Sequence, residues 1–235
     1  MKKSDSCVSR DFSFSAILKK NTESLNIMKT LYLMRHGQTM FNVAHKIQGW
    51  CDAPLTDLGR AQAEVAGQWF RDRNITFDYA YSSTSERAAD TLEIVTGGQM
   101  PYERIRGLKE WFFGKLEGHD ESLNPSFPYG DQFKQYGGEG EMEFQNRFNE
   151  AVTGIMNMAA DNTVTLIVAH GAACGQFFNK WQDYTLIPRK TGIGNCAIFK
   201  YSYDGVVFMC EDVVIHDFSD LDPSLSRTVY VTSGR

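Results

Sequence analysis

The chain has 235 residues, of which 42% are hydrophobic and 23% charged, with a formal charge of −5 at pH 7. That size fits one α/β domain with a substantial core. The negative balance offers no basic excess for nucleic acid or an anionic membrane surface, and no apolar run is long enough to span a bilayer, so any cationic site must be local.

Residues 1–27 are polar, and Asp5, Arg10, Asp11, Lys19 and Lys20 interrupt every apolar stretch that could follow Lys2 and Lys3 as a secretory signal. They are expected to form an N-terminal extension, or to precede a true start at Met28, with a single domain over 28–235. Residues 30–34 are short, apolar and strand-like and run into Arg35-His36-Gly37. From Thr56, a plausible N-cap, Leu58, Ala61, Val65 and Trp69 recur at helical spacing. A second strand is predicted over 77–81. Ser83 and Glu86 have capping-box spacing before a helix carrying Ala88, Leu92 and Val95. A short third strand is predicted over 102–105.

Residues 107–138 are rich in Gly, Pro and aromatics, have no clean period, and read as an excursion above the sheet. Helical spacing returns with Phe144, Phe148, Val152, Ile155 and Ala159. Residues 163–169 form the clearest buried strand and end in His170-Gly171, and a helix is predicted over 172–181. Two further strands, 196–201 and 206–214, are expected to pair as a hairpin around Asp204-Gly205. Strands alternating with helices predict a three-layer α/β/α sandwich around a mostly parallel, doubly wound sheet with an antiparallel edge. The five cysteines are scattered and form no CxxC pair, which argues against disulfides or a cysteine zinc site and suits a reducing cytoplasm.

Ligands of such sheets bind beyond the carboxyl ends of the strands, where His36 and His170 fall and where Ser82-Ser83 lead to Arg87. Two histidines, two arginines (Arg35 and Arg87) and a carboxylate from the excursion suit phosphoryl transfer. Arginine presents planar, permanently charged donors to phosphoryl oxygens, and a neutral imidazole attacks phosphorus through one nitrogen while the other is held as a donor.

The string Leu33-Met34-Arg35-His36-Gly37-Gln38-Thr39, then Asn42, Gln48-Gly49-Trp50, Asp52, Pro54-Leu55-Thr56 and Gly59, resembles the opening signature of the histidine phosphatase superfamily, phosphoglycerate mutase-like branch. Ser82-Ser83 with Arg87-Ala88, Glu110 with Gly114 and Glu117-Gly118, Val168-Ala169-His170-Gly171, and Asn195-Cys196 resemble its later blocks, in order, over about 30–215. The resemblance implies that His36 becomes phosphohistidine and that Arg35, Arg87 and His170 bind phosphoryl oxygens. Asn42 and Thr39 would add polar contacts, Gln48, Gly49 and Gly171 would border the substrate, and Glu110 would be the general acid and then base. It implies no metal and no cofactor. His45, His119 and His216 match nothing in the pattern.

The expected activity is hydrolysis of a small phosphate monoester. A mutase and an inactive phospho-ligand-binding module are the alternatives, and self-association is left open. Hydrolysis is preferred because Phe113 stands where the mutases carry an aromatic hydroxyl, residues 117–121 are acidic where they carry a lysine, and no Arg-Arg pair occurs in the excursion.

Overall fold

The computed structural model describes residues 28–185, 187–188 and 192–228; the expected extension over 1–27 lies outside them. Six strands form one sheet: β1 (Lys29–Arg35), β2 (Tyr79–Ser83), β3 (Glu103–Ile105), β4 (Val164–Ala169), β5 (Ile198–Tyr203) and β6 (Phe208–Val214). Their order is β3-β2-β4-β1-β5-β6. The strands β3, β2, β4 and β1 run parallel, while β5 pairs antiparallel with β1 and with β6 at the edge. The helices are α1 (Met40–Val43), α2 (Asp57–Asp72), α3 (Glu86–Thr96), α4 (Glu141–Met158) and α5 (Gly171–Trp181), with short 3₁₀ turns through the excursion.

The central strand β4 is buried from Thr165 to Ala169, as expected of a parallel strand covered on both faces. Leu166 and Val168 pack with Ala63, Ala66 and Phe70 of α2 and Ala88, Leu92 and Val95 of α3. On the other side Ile167 and Ala169 meet Phe144, Phe148, Val152 and Ile155 of α4 and Cys174 and Phe177 of α5. The three-layer α/β/α architecture read from the sequence is therefore the observed one.

Local departures have physical causes. The buried face of α2 is Gly59, Gln62, Ala63, Ala66, Gly67 and Phe70, one residue out of step with the predicted stripe. Small side chains win because α3 lies close: a Cβ on Gly67 would come within 2.8 Å of the Val95 carbonyl oxygen. The strand expected over 77–81 begins two residues later, with Phe77 packed in an aromatic cluster with Tyr32 and Phe70 instead. The Ser83–Glu86 capping box is absent, since α3 starts after Ser85, which makes no side-chain cap bond. Asp52 replaces it from a distant loop, its Oδ2 accepting from the Glu86 backbone N–H at 2.5 Å. The hairpin turn lies where expected, with Asp204 Oδ1 accepting from the Val206 and Val207 N–H groups, though β5 starts at Ile198.

Candidate active site

Because β1 and β4 are hydrogen-bonded neighbours, the residues after their ends are brought together: the His36 and His170 ring centroids lie 5.3 Å apart. The tight turn at Gly37 is set by α2, whose first turn presses on it. A Cβ on Gly37 would fall 2.3 Å from the Gly59 carbonyl oxygen, and one on Gly59 would fall 2.0 Å from that of Gln38. Thr56 caps α2 by accepting from the Gly59 N–H at 2.9 Å and ties the turn by donating to Gln38 Oε1 at 2.9 Å. The Pro-Leu-Thr and Gly59 elements of the motif thus fix where His36 sits.

His36 Nδ1 lies 2.7 Å from the Gly37 carbonyl oxygen. A carbonyl can only accept, so in the neutral ring Nδ1 carries the proton and Nε2 the lone pair. Burial, with Arg87 and Arg35 adding like charge, holds the His36 pKa well below its ordinary value, so the ring is neutral at neutral pH. Nε2 accepts from Arg87 Nε at 3.2 Å. His170 is wholly buried, and burial followed by Arg87 likewise pushes its pKa well down. Neither of its ring nitrogens has a hydrogen-bond partner.

Arg87 is fully buried. Its Nη1 donates to the Cys51 carbonyl (3.0 Å) and Asp52 Oδ1 (2.7 Å), and its Nη2 to the Gly49 carbonyl (2.8 Å). Counting the bond to His36, four of its five N–H donors are engaged within the protein. Arg35 donates to the Ile193 carbonyl, while its buried Nε has no partner.

Glu110 is 6% exposed. Its Oε1 accepts from the backbone N–H of Trp111 (2.9 Å) and Ala173 (3.0 Å), and its Oε2 from that of Ala172 (2.9 Å). It therefore caps the first turn of α5, where His170 makes no side-chain cap. These bonds and the arginines favour the carboxylate, but burial outweighs them and raises the pKa.

The other expected site residues divide into two groups. Asn42, Gln48 and Gly171 line one cavity with Arg35, His36 and Glu110. Gln48 Oε1 accepts from the Thr39 hydroxyl at 2.8 Å, and its Nε2 is buried there without a partner. Thr39 is buried, and its hydroxyl also caps α1 by accepting from the Asn42 N–H, so it orients Asn42 and Gln48 from behind. Gly49 is absent from the cavity lining; its backbone instead binds Arg87 and Glu117. His45, His119 and His216 do not border the cavity.

Sequence reasoning did not single out Arg147, Glu139, Asp52 as a partner of Arg87, or the lining residues Lys46, Asn124, Gln176 and Asn179. Arg147 pairs with both oxygens of Glu139 and donates to the carbonyls of Gly107, Lys109 and Glu110. This brace ties down the loop that carries Glu110. Glu117 Oε1 and Oε2 accept from four backbone N–H groups, those of Gly49, Trp50, Cys51 and Phe113, which makes it a loop staple. Such contacts join loops far apart in sequence, and only Asp52 and Glu117 left a trace, each as part of a motif.

The profile of the histidine phosphatase superfamily (branch 1) matches residues 31–215. The chain belongs to that superfamily. A 2,3-bisphosphoglycerate-dependent phosphoglycerate mutase from Hamiltonella defensa subsp. Acyrthosiphon pisum (strain 5AT) is 32% identical over 113 residues, which cover 46% of this chain and 45% of that relative, so the match spans under half of its length. Among solved structures, phosphoglycerate mutase from Bacillus anthracis str. Sterne superposes with a TM-score of 0.71 at 25% identity, covering 81% of this chain and 94% of that one. Phosphoserine phosphatase from Entamoeba histolytica, in complex with 3-phosphoglyceric acid, gives 0.65 at 26% identity, covering 80% and 98%. The relatives and structural neighbours of the chain thus include both mutases and phosphatases. No helix among the described residues is long and apolar enough to cross a membrane.

Proposed function

We propose that the chain is a phosphatase that hydrolyses small phosphate monoesters through a phosphohistidine on His36. The neutral ring with its Nε2 lone pair, in one cavity with a buried acid, supports the chemistry. As the ester arrives, its phosphoryl oxygens take donors from Arg35 Nε, Gln48 Nε2 and a His170 ring nitrogen, none of which has a hydrogen-bond partner within the protein. The Arg87 Nε–H moves from His36 Nε2 to a phosphoryl oxygen, freeing the lone pair. The Nε2–P bond forms as the P–O ester bond breaks, and Glu110, whose burial favours the protonated form, gives a proton to the departing alkoxide. Glu110 then takes a proton from water, whose oxygen attacks phosphorus as the N–P bond breaks, releasing phosphate and restoring His36.

The observation that favours hydrolysis over the mutase reaction is the charge beyond the phosphoryl site. The lining cations among the described residues are Arg35 and Lys46, and Lys46 Nζ is already met by Asp120 at 3.5 Å, with Glu121 adding a carboxylate to the wall. A second anionic group of a phosphoglycerate would meet little free positive charge there. The chain is assayed with EDTA against a panel of monoesters, and for conversion of 3- to 2-phosphoglycerate with 2,3-bisphosphoglycerate added. Steady phosphate release with negligible interconversion is expected; mutase turnover exceeding hydrolysis would overturn the reading. Free cysteines at Cys51, Cys174, Cys196 and Cys210 support a reducing compartment such as the cytoplasm.

A further inference from the structure

The cavity at His36 encloses about 580 Å³, far more than a phosphoryl group fills, so its remaining walls meet the alcohol that leaves. One wall is a face of α5, formed by Gly171, Ala172, Gly175, Gln176 and Asn179. Gly171 marks the phosphoryl end, since a Cβ there would sit 3.4 Å from Arg35 Nε. Asn179 lies eight residues further along the helix, roughly 12 Å away at 1.5 Å per residue. Between them Gly171, Ala172 and Gly175 project nothing larger than a methyl group, and the Ile193 side chain packs over Gly175, its Cδ1 3.1 Å from where a Cβ there would sit.

Two amides stand at the far end, and they differ. Gln176 is committed to the fold, its Nε2 donating to Glu141 Oε1 at 2.8 Å and its Oε1 accepting from Gln145 at 3.1 Å. Asn179 Oδ1 is buried with no partner. A buried carbonyl oxygen without a donor costs free energy that an incoming hydroxyl recovers. A carboxylate or a second phosphate dianion offers only acceptors, so it could meet the Asn179 Nδ2 but would leave Oδ1 unsatisfied. The remaining lining includes the aromatic residues Trp111, Phe113 and Tyr129, while the charged groups Lys46 and Glu121 are each met by an opposite partner, Asp120 at 3.5 Å and, when protonated, His45 at 3.5 Å.

We infer that the substrate's leaving group is an uncharged, hydroxyl-bearing alcohol of about hexose size, recognised at its far end by Asn179 and packed along the aromatic wall. This rests on the phosphatase reading and narrows its substrate class. The selection is against a second anion and against a bare alkyl chain.

The test compares kcat/KM for glucose 6-phosphate, n-hexyl phosphate, 3-phosphoglycerate and 4-nitrophenyl phosphate. The sugar ester is expected to exceed the hexyl ester roughly tenfold, the worth of about one net hydrogen bond, and to exceed 3-phosphoglycerate by at least as much. In Asn179→Leu the ratio of sugar to hexyl ester should collapse toward one. Equal rates for the two esters in the unaltered enzyme, a preference for 3-phosphoglycerate, or an unchanged ratio in the variant would each overturn the inference. The first two readouts do not depend on whether the variant folds. Hydrolysis of 4-nitrophenyl phosphate distinguishes the two levels: if it persists while the sugar preference is absent, only the inference fails. If no ester is hydrolysed, the phosphatase reading fails and takes the inference with it.

Discussion

Replacing Glu110 by Gln keeps the shape of the side chain and removes its transferable proton. The amide oxygen can keep the two Oε1 bonds from Trp111 and Ala173, but the amide NH₂ then faces the Ala172 N–H, donor against donor. Leaving that buried N–H without an acceptor should lower stability by about 1–3 kcal/mol. The catalytic loss should be larger and selective. A general acid contributes roughly 10²–10⁴-fold, or about 3–5 kcal/mol of barrier, where the leaving alkoxide needs a proton. A 4-nitrophenolate leaves with little protonation, so it should lose only what the altered helix cap costs in positioning. The comparison is made in kcat/KM, which reports events through phosphoenzyme formation and excludes the later hydrolysis in which Glu110 acts as base. An alkyl phosphate should fall at least tenfold further than 4-nitrophenyl phosphate. An equal fall for both would refute the proton-donor role and leave Glu110 as a cap for α5, with its raised pKa a by-product of burial.

Three other perturbations test the supports of the site. Arg147→Met should release the Glu139 pair and three carbonyl bonds, including that to Glu110, lowering kcat more than it raises KM and altering the acidic limb of the pH–rate profile; an unchanged profile would make the brace structural only. Asp52→Asn should remove the charge facing Arg87 and weaken the borrowed cap on α3, giving a stability loss of roughly 1–3 kcal/mol and at least tenfold lower kcat/KM; full activity would show that the pair does not orient Arg87. Histidine pKa depression makes stability pH-dependent. His170 stays neutral in the fold while the unfolded chain takes up its proton near the ordinary value of 6.5, so its contribution holds above that pH and is lost as pH falls toward the folded pKa, by up to about 1.4 kcal/mol per pH unit. Glu110 acts in the opposite sense, its contribution fading as pH rises from 4.5 through its raised pKa, so the comparison is made between the unaltered chain and His170→Asn by denaturant unfolding at pH 7.5 and 5.5. Equal slopes for the two would mean that His170 is not held neutral.

The layers of the fold were legible because their signals are local. The apolar period of α4, the continuous buried run of β4 and the turn at Asp204-Gly205 each reside in one segment. The stripe of α2 misled because its contact face uses glycine and alanine, which carry little hydrophobic signal but permit close approach to α3. The candidate site was legible for a different reason: His36, Arg87 and His170 sit in short strings tied to strand ends or a helix start, and Glu110 belongs to a short string within the excursion. What holds them was not. The bonds from Arg147 to the Glu110 loop and from Asp52 to Arg87 join residues 35 or more positions apart, and no periodicity or spacing encodes such pairs. Thr39 illustrates the middle case, in the motif yet turned inward to cap α1.

The central claim is that His36 Nε2 carries the phosphoryl group. Rapid quenching of the enzyme with a ³²P-labelled monoester under alkaline conditions, followed by peptide mapping, tests it most directly. An acid-labile, alkali-stable label on His36, absent from His36→Ala along with turnover, is the predicted result. Label on a serine or cysteine, or undiminished turnover in His36→Ala, would contradict the account.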